Sequence, residues 1–495
     1  MNRIILILSI LTVLLITGCQ SNSDITFTSE VTEEFRPTYH FTPESGWMND
    51  PNGLIYLDGE YHLFYQHYPD STVWGPMHWG HAVSSDLVNW EHLPIALFPD
   101  SLGYIFSGSA VLDTENTSGL GTAETPPIVA IFTYHNAEEA NTKSQTFQSQ
   151  AIAFSLDKGR TWQKYEGNPV LPNPGIRDFR DPKVSQITNE NGTKSWIMTL
   201  AVLDQINFYS SPDLKSWTLL SEFGKTIGAH GGVWECPDLL PFKTPSGEGK
   251  WVLLVSINPG GPQNGSATQY FIGDFKNGQF TPDDTMIRWL DYGPDNYAGV
   301  TWSNLPSDHD RTLFIGWMSN WLYANEVPTK AWRSAMTLPR ELSLFDVDGT
   351  LLLKSAPAKE LEKLRDKEYK VTKKSSSLPS EAVELISEVN SDSFMVTFSN
   401  ELNEKLVISK ELGLVNIDRR NAGKSTFQRD FAAIHSAPMS WEATEIRIFL
   451  DASSVELFVN DGELVMTSIL FPSSPWKTVE VSDQVNSLKI YNLKK

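Results

Sequence analysis

Cysteine is almost missing from this chain. Its 495 residues hold only Cys19 and Cys236, too few to build a disulfide scaffold. Basic runs are missing too: acids outnumber bases 60 to 39, for a formal net charge of −21. A nucleic-acid partner needs clustered Lys and Arg against its phosphates, so none is expected. A soluble surface and a neutral substrate suit this charge. The third absence is a long apolar run: Ile4 to Ile16 is about 13 residues, against the roughly 20 that span a bilayer. No long amphipathic helix is legible between residues 37 and 350.

What is present begins with an address. Met1-Asn2-Arg3 is positive, residues 4–16 are apolar, and Thr17-Gly18 supplies small residues, the three-part pattern of a secretory signal. Ile16-Thr17-Gly18-Cys19 has the form of a bacterial lipobox, which implies cleavage after residue 18 and lipidation of Cys19. Residues 19–36 are polar and read as a flexible tether. The expectation is an exported protein, periplasmic or at the cell surface, held to the membrane by this N-terminal lipid alone.

The remainder is long enough for two domains. At 40% hydrophobic and 20% charged residues it has the means to bury a core. Short alternating apolar stretches recur between Gly, Pro, Asn and Asp turns, which predicts an all-β fold. Gly53–Leu57 and Tyr61–Tyr65 flank Asp58-Gly59, a strong hairpin signal. A weak repeat sets an Asp-containing turn before a Trp: Ser85-Asp86-Leu87 before Trp90, Ser155-Leu156-Asp157 before Trp162, and Ser211-Pro212-Asp213-Leu214 before Trp217. Such repetition suits propeller blades, and residues 270–280 read as another blade hairpin. Residues 354–376 are charged and, around 356–365, helix-prone; they read as a linker. Alternating strands resume over 377–495, a span of sandwich size.

Three carboxylates stand apart from the many solvated ones. Asp50 lies in Trp47-Met48-Asn49-Asp50-Pro51-Asn52-Gly53. Its neighbouring amides are suited to hold a carboxylate and keep its pKa low, as a nucleophile requires, although the same residues are also good turn formers. Asp181 follows Arg180, which is able either to pair with it or to bind a sugar hydroxyl. Glu235 sits between Trp234 and Cys236-Pro237, an apolar setting that would keep a carboxylic acid protonated. Glycosidic hydrolysis needs two such groups, one to attack or stabilise and one to deliver a proton.

Together these segments resemble the β-fructosidases of glycoside hydrolase family 32, from about Pro37 to the C-terminus. Trp47–Gly53 is similar to the family's opening signature, Arg180-Asp181-Pro182 to its second motif and Glu235-Cys236-Pro237 to its third, in order. Segments at Tyr61–Gln66, Trp74–His81 and Phe106–Ser109 are similar to those lining its fructose subsite. The resemblance implies a five-bladed β-propeller over 37–353 followed by a β-sandwich over 377–495. It implies Asp50 as nucleophile, Asp181 as transition-state stabiliser holding two fructosyl hydroxyls, and Glu235 as general acid/base. Asn49, Gln66, Trp74, Phe106 and Ser107 would line the terminal fructose pocket, with Arg180 and Asp238 nearby and Trp302 and Trp332 as further walls. Retention needs the two reacting carboxyls about 5–5.5 Å apart.

The resemblance implies no metal and no organic cofactor. The spacing of His62, His67, His78, His81 and His92 matches no zinc motif. The expected partner is a fructan or fructo-oligosaccharide, and the expected reaction is release of terminal fructose. Asp within the opening motif and Asp238 after Cys236-Pro237 look more like exo-acting members. Endo cleavage, fructosyl transfer and non-catalytic fructan binding are the alternatives.

Overall fold

The computed structural model describes residues 33–188, 192–306, 311–371, 374–389, 393–486 and 488–495. The signal and lipidation site read from residues 1–19 lie outside the described residues. The last residues of the expected tether are docked: the Phe35 side chain is buried, and the Arg36 guanidinium lies 4.7 Å over the Trp332 ring.

The described residues are all-β apart from two short helical turns. Five sheets form first, in chain order. The first contains β1 (Gly46–Leu57), β2 (Glu60–Tyr68), β3 (His78–Ser84) and β4 (Glu91–Leu97). The second contains β5 (Tyr104–Leu112), β6 (Ile128–His135), β7 (Gln148–Ser155) and β8 (Gln163–Lys164), with helix α1 (Ala137–Asn141) between β6 and β7. The third contains β9 (Phe179–Thr188), β10 (Lys194–Val202), β11 (Gln205–Ser211) and β12 (Thr218–Phe223). The fourth contains β13 (Val233–Lys243), β14 (Gly249–Asn258), β15 (Ala267–Lys276) and β16 (Gln279–Pro282). The fifth is built from β17 (Tyr297–Thr301), β18 (Thr312–Met318), β20 (Ala335–Met336), β21 (Arg340–Val347) and β22 (Thr350–Pro357), while β19 (Trp332–Arg333) instead pairs in parallel with β1.

Within each sheet consecutive strands run antiparallel, and Asp-Gly or Asn-Gly turns make several of the reversals. Asp58 and Gly59 both have positive φ in the β1–β2 turn, as do Asn277 and Gly278 in β15–β16. The Asp-turn repeat falls on one place in three sheets, the hairpin from third to fourth strand. There Asp86, Asp157 and Asp213 accept hydrogen bonds from backbone N–H groups two to four residues on. Among the first strands, β1 packs near β5, β5 near β9, β9 near β13, β13 near β17, and β17 back near β1.

In its described residues the expected linker is ordered structure. Its helix-prone stretch forms only a 3-10 turn, Lys359–Leu364, and most of the rest is strand. Arg365–Val371 then pairs with the C-terminal strand Leu488–Leu493, and the helical turn ends where this strand begins. Beyond it, two six-stranded sheets enclose a core that includes Val396, Ile408, Ile448 and Leu457.

Buried charges join one of these sheets, which contains Glu445–Asp451, Ser454–Val459 and Leu464–Ile469, to the first five. Arg340 on β21 donates to Asp291 (2.9 Å), Glu456 (2.5 Å) and the Thr467 hydroxyl (2.7 Å). His40 lies between Asp451 (2.8 Å) and Glu456 (2.9 Å). Burial alone would push its imidazole down, but the two carboxylates overcome this and raise it to about 9.

Candidate active site

The five first strands share one irregularity. Each carries an extra residue against its neighbour, at Asn49–Asp50, Phe106–Ser107, Asp181–Pro182, Cys236–Pro237 and Ala298–Gly299. A bulge breaks the strict alternation of a strand and re-aims side chains. Asp181, Cys236 and Ala298 have positive φ at these bulges (63°, 45° and 53°), a conformation costing of order 1 kcal/mol or more for a residue with a Cβ. The turn-forming chemistry of residues 49–53 is therefore used inside a strand.

Four of the five bulged strands contribute walls to a cavity of about 350 Å³. Asp50, Asp181 and Glu235 all line it, as do Asn49, Gln66, Trp74, Phe106, Ser107 and Arg180. Its other walls include His135, Phe147, Arg177, Val233, Asn258 and Trp321. Trp302 and Trp332 do not reach it. Trp302 is buried and donates to the His62 carbonyl, and Trp332 is buried beneath Arg36. Asp238 is also displaced from the cavity, with Oδ2 bound to Lys183 Nζ (2.9 Å) and to the Thr301 amide and hydroxyl.

Asp50 accepts from Asn49 Nδ2 (3.0 Å) through Oδ1 and from the Ser107 hydroxyl (2.7 Å) through Oδ2. Asn52 turns to the Asp50 backbone oxygen instead (3.5 Å). Contrary to the sequence expectation, the Asp50 pKa is raised. Burial and the nearby Glu235 charge outweigh the Asn49 and Ser107 hydrogen bonds that favour the carboxylate.

Asp181 is held from below and beside. Its N–H donates to Thr133 Oγ (3.0 Å), whose hydroxyl donates to Gln150 (2.6 Å). Its Oδ2 accepts the Cys236 N–H at 3.1 Å. Burial pushes Asp181 up to about 7; Arg180 opposes this, and Glu235 and Asp50 reinforce it. The Cys236 sulfur lies 3.6 Å from both Asp50 Oδ2 and Asp181 Oδ2. Burial, with Asp181, Asp50 and Glu235 around it, pushes its thiol up, which keeps it a weak S–H donor between the two acids.

Glu235 is not in apolar company. Alternation along β13 sends Trp234 into the core, and the carboxylate faces polar partners. Oε1 accepts from Arg180 Nε (3.1 Å) and Nη2 (3.0 Å), and Oε2 accepts a short hydrogen bond from the Tyr297 hydroxyl. Arg180 makes no hydrogen bond to Asp181; its Nη1 goes to Asp178 at 2.7 Å. Tyr297, like His135 and Trp321 on the cavity wall, is a residue that sequence reading missed. It stands in no motif, and only its place beside the bulge of the fifth first strand marks it.

The five sequence-adjacent histidines do not converge. His62 and His81 stack on each other, His67 and His78 bond backbone carbonyls, and His92 stacks on Phe41. Among the described residues no group of three or more His, Cys, Asp or Glu is placed to hold a metal ion.

Residues 40–355 match the glycosyl hydrolases family 32 N-terminal domain, and residues 359–494 match the family 32 C-terminal domain. The chain belongs to glycoside hydrolase family 32. It is 44% identical to a levanase of Bacillus subtilis over its whole length and 75% of that protein. It is 38% identical to an extracellular exo-inulinase of Aspergillus awamori, with 91% and 92% of the two chains covered. The crystal structure of an A. awamori exo-inulinase superposes with a TM-score of 0.84 at 35% identity, covering 94% of this chain and 99% of that one.

Proposed function

We propose that this family 32 chain is a retaining fructan β-fructosidase that releases terminal fructose from levan or inulin and from sucrose. One observation carries the reading: three carboxylates from three different sheets line a single cavity, and a guanidinium and a buried phenol hold one of them, Glu235. Relatives named levanase and exo-inulinase support the substrate class and the exo mode.

In the proposed reaction Glu235 gives a proton to the glycosidic oxygen as that oxygen leaves the anomeric carbon. Asp50 bonds to the same carbon and forms a fructosyl ester. Glu235 then takes a proton from water, whose oxygen displaces Asp50 and frees fructose. Positive charge develops on the ring in both steps, and the fixed carboxylates oppose it. Asp181 holds two fructosyl hydroxyls. Arg180 and Tyr297 fix the Glu235 carboxyl on both oxygens. Asn49, Gln66, Trp74, Phe106 and Ser107 enclose the terminal ring.

The five bulged sheets are read as a five-bladed propeller over 37–353, joined through 354–376 to a β-sandwich over 377–495. Residues 1–18 are read as a lipoprotein signal and 19–36 as a tether, on composition and on relatives named extracellular. Cys19→Ser is expected to move the protein from the membrane to the soluble fraction; unchanged partition rejects the anchor.

A time course on levan, inulin and sucrose tests the activity. Free fructose alone from the earliest points is expected, and the three rates rank the linkages. A ladder of oligosaccharides that precedes fructose means endo cleavage. Products longer than the substrate mean transfer. A folded protein that binds fructan and yields nothing is a binding protein.

A further inference from the structure

The fructose pocket accounts for one side of the cavity, while a second wall has no role so far. Its rings continue outward from the pocket without a gap. Trp74 meets Phe106 edge-on at 6.1 Å, and Phe106 lies face to face with His135 at 4.2 Å and 11°. His135 meets Phe147 edge-on at 5.2 Å, and the Arg177 guanidinium lies 5.2 Å over the Phe147 ring. Phe147 is buried, His135 half-buried and Arg177 exposed. Thus a buried ring backs a half-open ring and an open guanidinium. Helix α1 closes the outside: Asn136 caps it through the Glu139 N–H (3.1 Å), and its Ala140 lines the cavity.

The wall lies on the side of Glu235. Arg180, which holds Glu235 Oε1, also reaches Gln148 Oε1 (3.5 Å), and Gln148 Nε2 lies 3.3 Å from His135 Nδ1. A carboxyl that protonates the departing oxygen must face the leaving part of the substrate. The ring stack and the leaving group therefore share one side. Burial, with Arg180 adding to it, pushes the His135 imidazole down to about 4, so the ring, stacked on Phe106 and Tyr104, is a neutral part of the wall near neutral pH. Flat rings suit the C–H faces of sugars, and a guanidinium offers five N–H donors to hydroxyls.

We propose that His135, Phe147 and Arg177 form a leaving-side subsite for fructose rings beyond the scissile bond, with Arg177 as hydroxyl donor set against the ring wall. The subsite favours chains of several fructose units over sucrose. It rests on the β-fructosidase reading above.

The test compares kcat/KM on sucrose and on a linear fructose tetrasaccharide, in the linkage wild type cleaves faster. Arg177→Ala is expected to lower the tetrasaccharide-to-sucrose ratio about tenfold, the scale of one charge-assisted hydrogen bond, mainly through KM on the tetrasaccharide. Arg177→Gln, which keeps one amide donor, falls between. A ratio within twofold of wild type in Arg177→Ala overturns the subsite, whether both substrates are unaffected or both lose equally. A wild-type protein that frees fructose from neither substrate overturns the activity, and the subsite with it.

Discussion

Asp50→Ala is expected to lower kcat for fructose release by about 10⁴-fold or more, because no other group can take its place at the anomeric carbon. Glu235→Ala is expected to fall steeply as well, since both the proton donor and the later base are lost. Binding behaves differently. Asn49, Gln66, Trp74 and Arg180 remain around the ring, so fructose still protects Asp50→Ala against thermal unfolding. A smaller change probes the same group by pH. Asp50 attacks only as a carboxylate, so activity falls as pH drops through its pKa. The Ser107 hydroxyl stabilises that carboxylate from 2.7 Å. Ser107→Ala therefore moves the acid limb of kcat/KM to higher pH. An acid limb that stays in place removes Asp50, or its bond to Ser107, from the mechanism. An Asp50→Ala protein within a hundredfold of wild type removes it outright.

The second large effect concerns stability. Arg340→Leu is expected to destabilise the protein by about 3–5 kcal/mol, the cost of leaving buried charges without their partner. Arg340 is fully buried between Asp291 and Glu456, and its loss strands both carboxylates where water does not reach. His40 compensates little, because it already serves Asp451 and Glu456 from the far side. Denaturant unfolding of wild type and Arg340→Leu reads the difference. A single-variant loss below about 1 kcal/mol contradicts the buried network.

Much of the site was legible because its chemistry is written in contiguous segments. Trp47–Gly53, Arg180–Pro182 and Glu235–Pro237 announce themselves, and each places its acid on the cavity. What the residues beside an acid do was less legible. Trp234 and Cys236 suggested a dry pocket for Glu235, but strand alternation turns Trp234 away and brings in Arg180 and Tyr297 from other sheets. The raised pKa of Asp50 was invisible for a similar reason: it comes from burial and from Glu235, 185 positions on, not from the adjacent amides. Single aromatics were the hardest. Trp302 and Trp332 went to the core while Trp321 and His135 reached the cavity, and no local pattern separates them. In the fold, period-two patterns and Asp-Gly and Asn-Gly turns marked the hairpins. The 356–365 stretch misled because its charged, helix-prone run is too short to sustain a helix: it closes only the 3-10 turn Lys359–Leu364 before Arg365–Val371 pairs with Leu488–Leu493.

The most direct measurement fixes the stereochemistry of transfer. Wild-type protein is incubated with sucrose in aqueous methanol, and the methyl fructoside formed is analysed by NMR. Unlike free fructose, this product does not mutarotate. A double displacement through Asp50 yields methyl β-D-fructofuranoside, and that product is absent with Asp50→Ala. The α-anomer, formed in a single displacement, contradicts the assignment of Asp50 as a nucleophile.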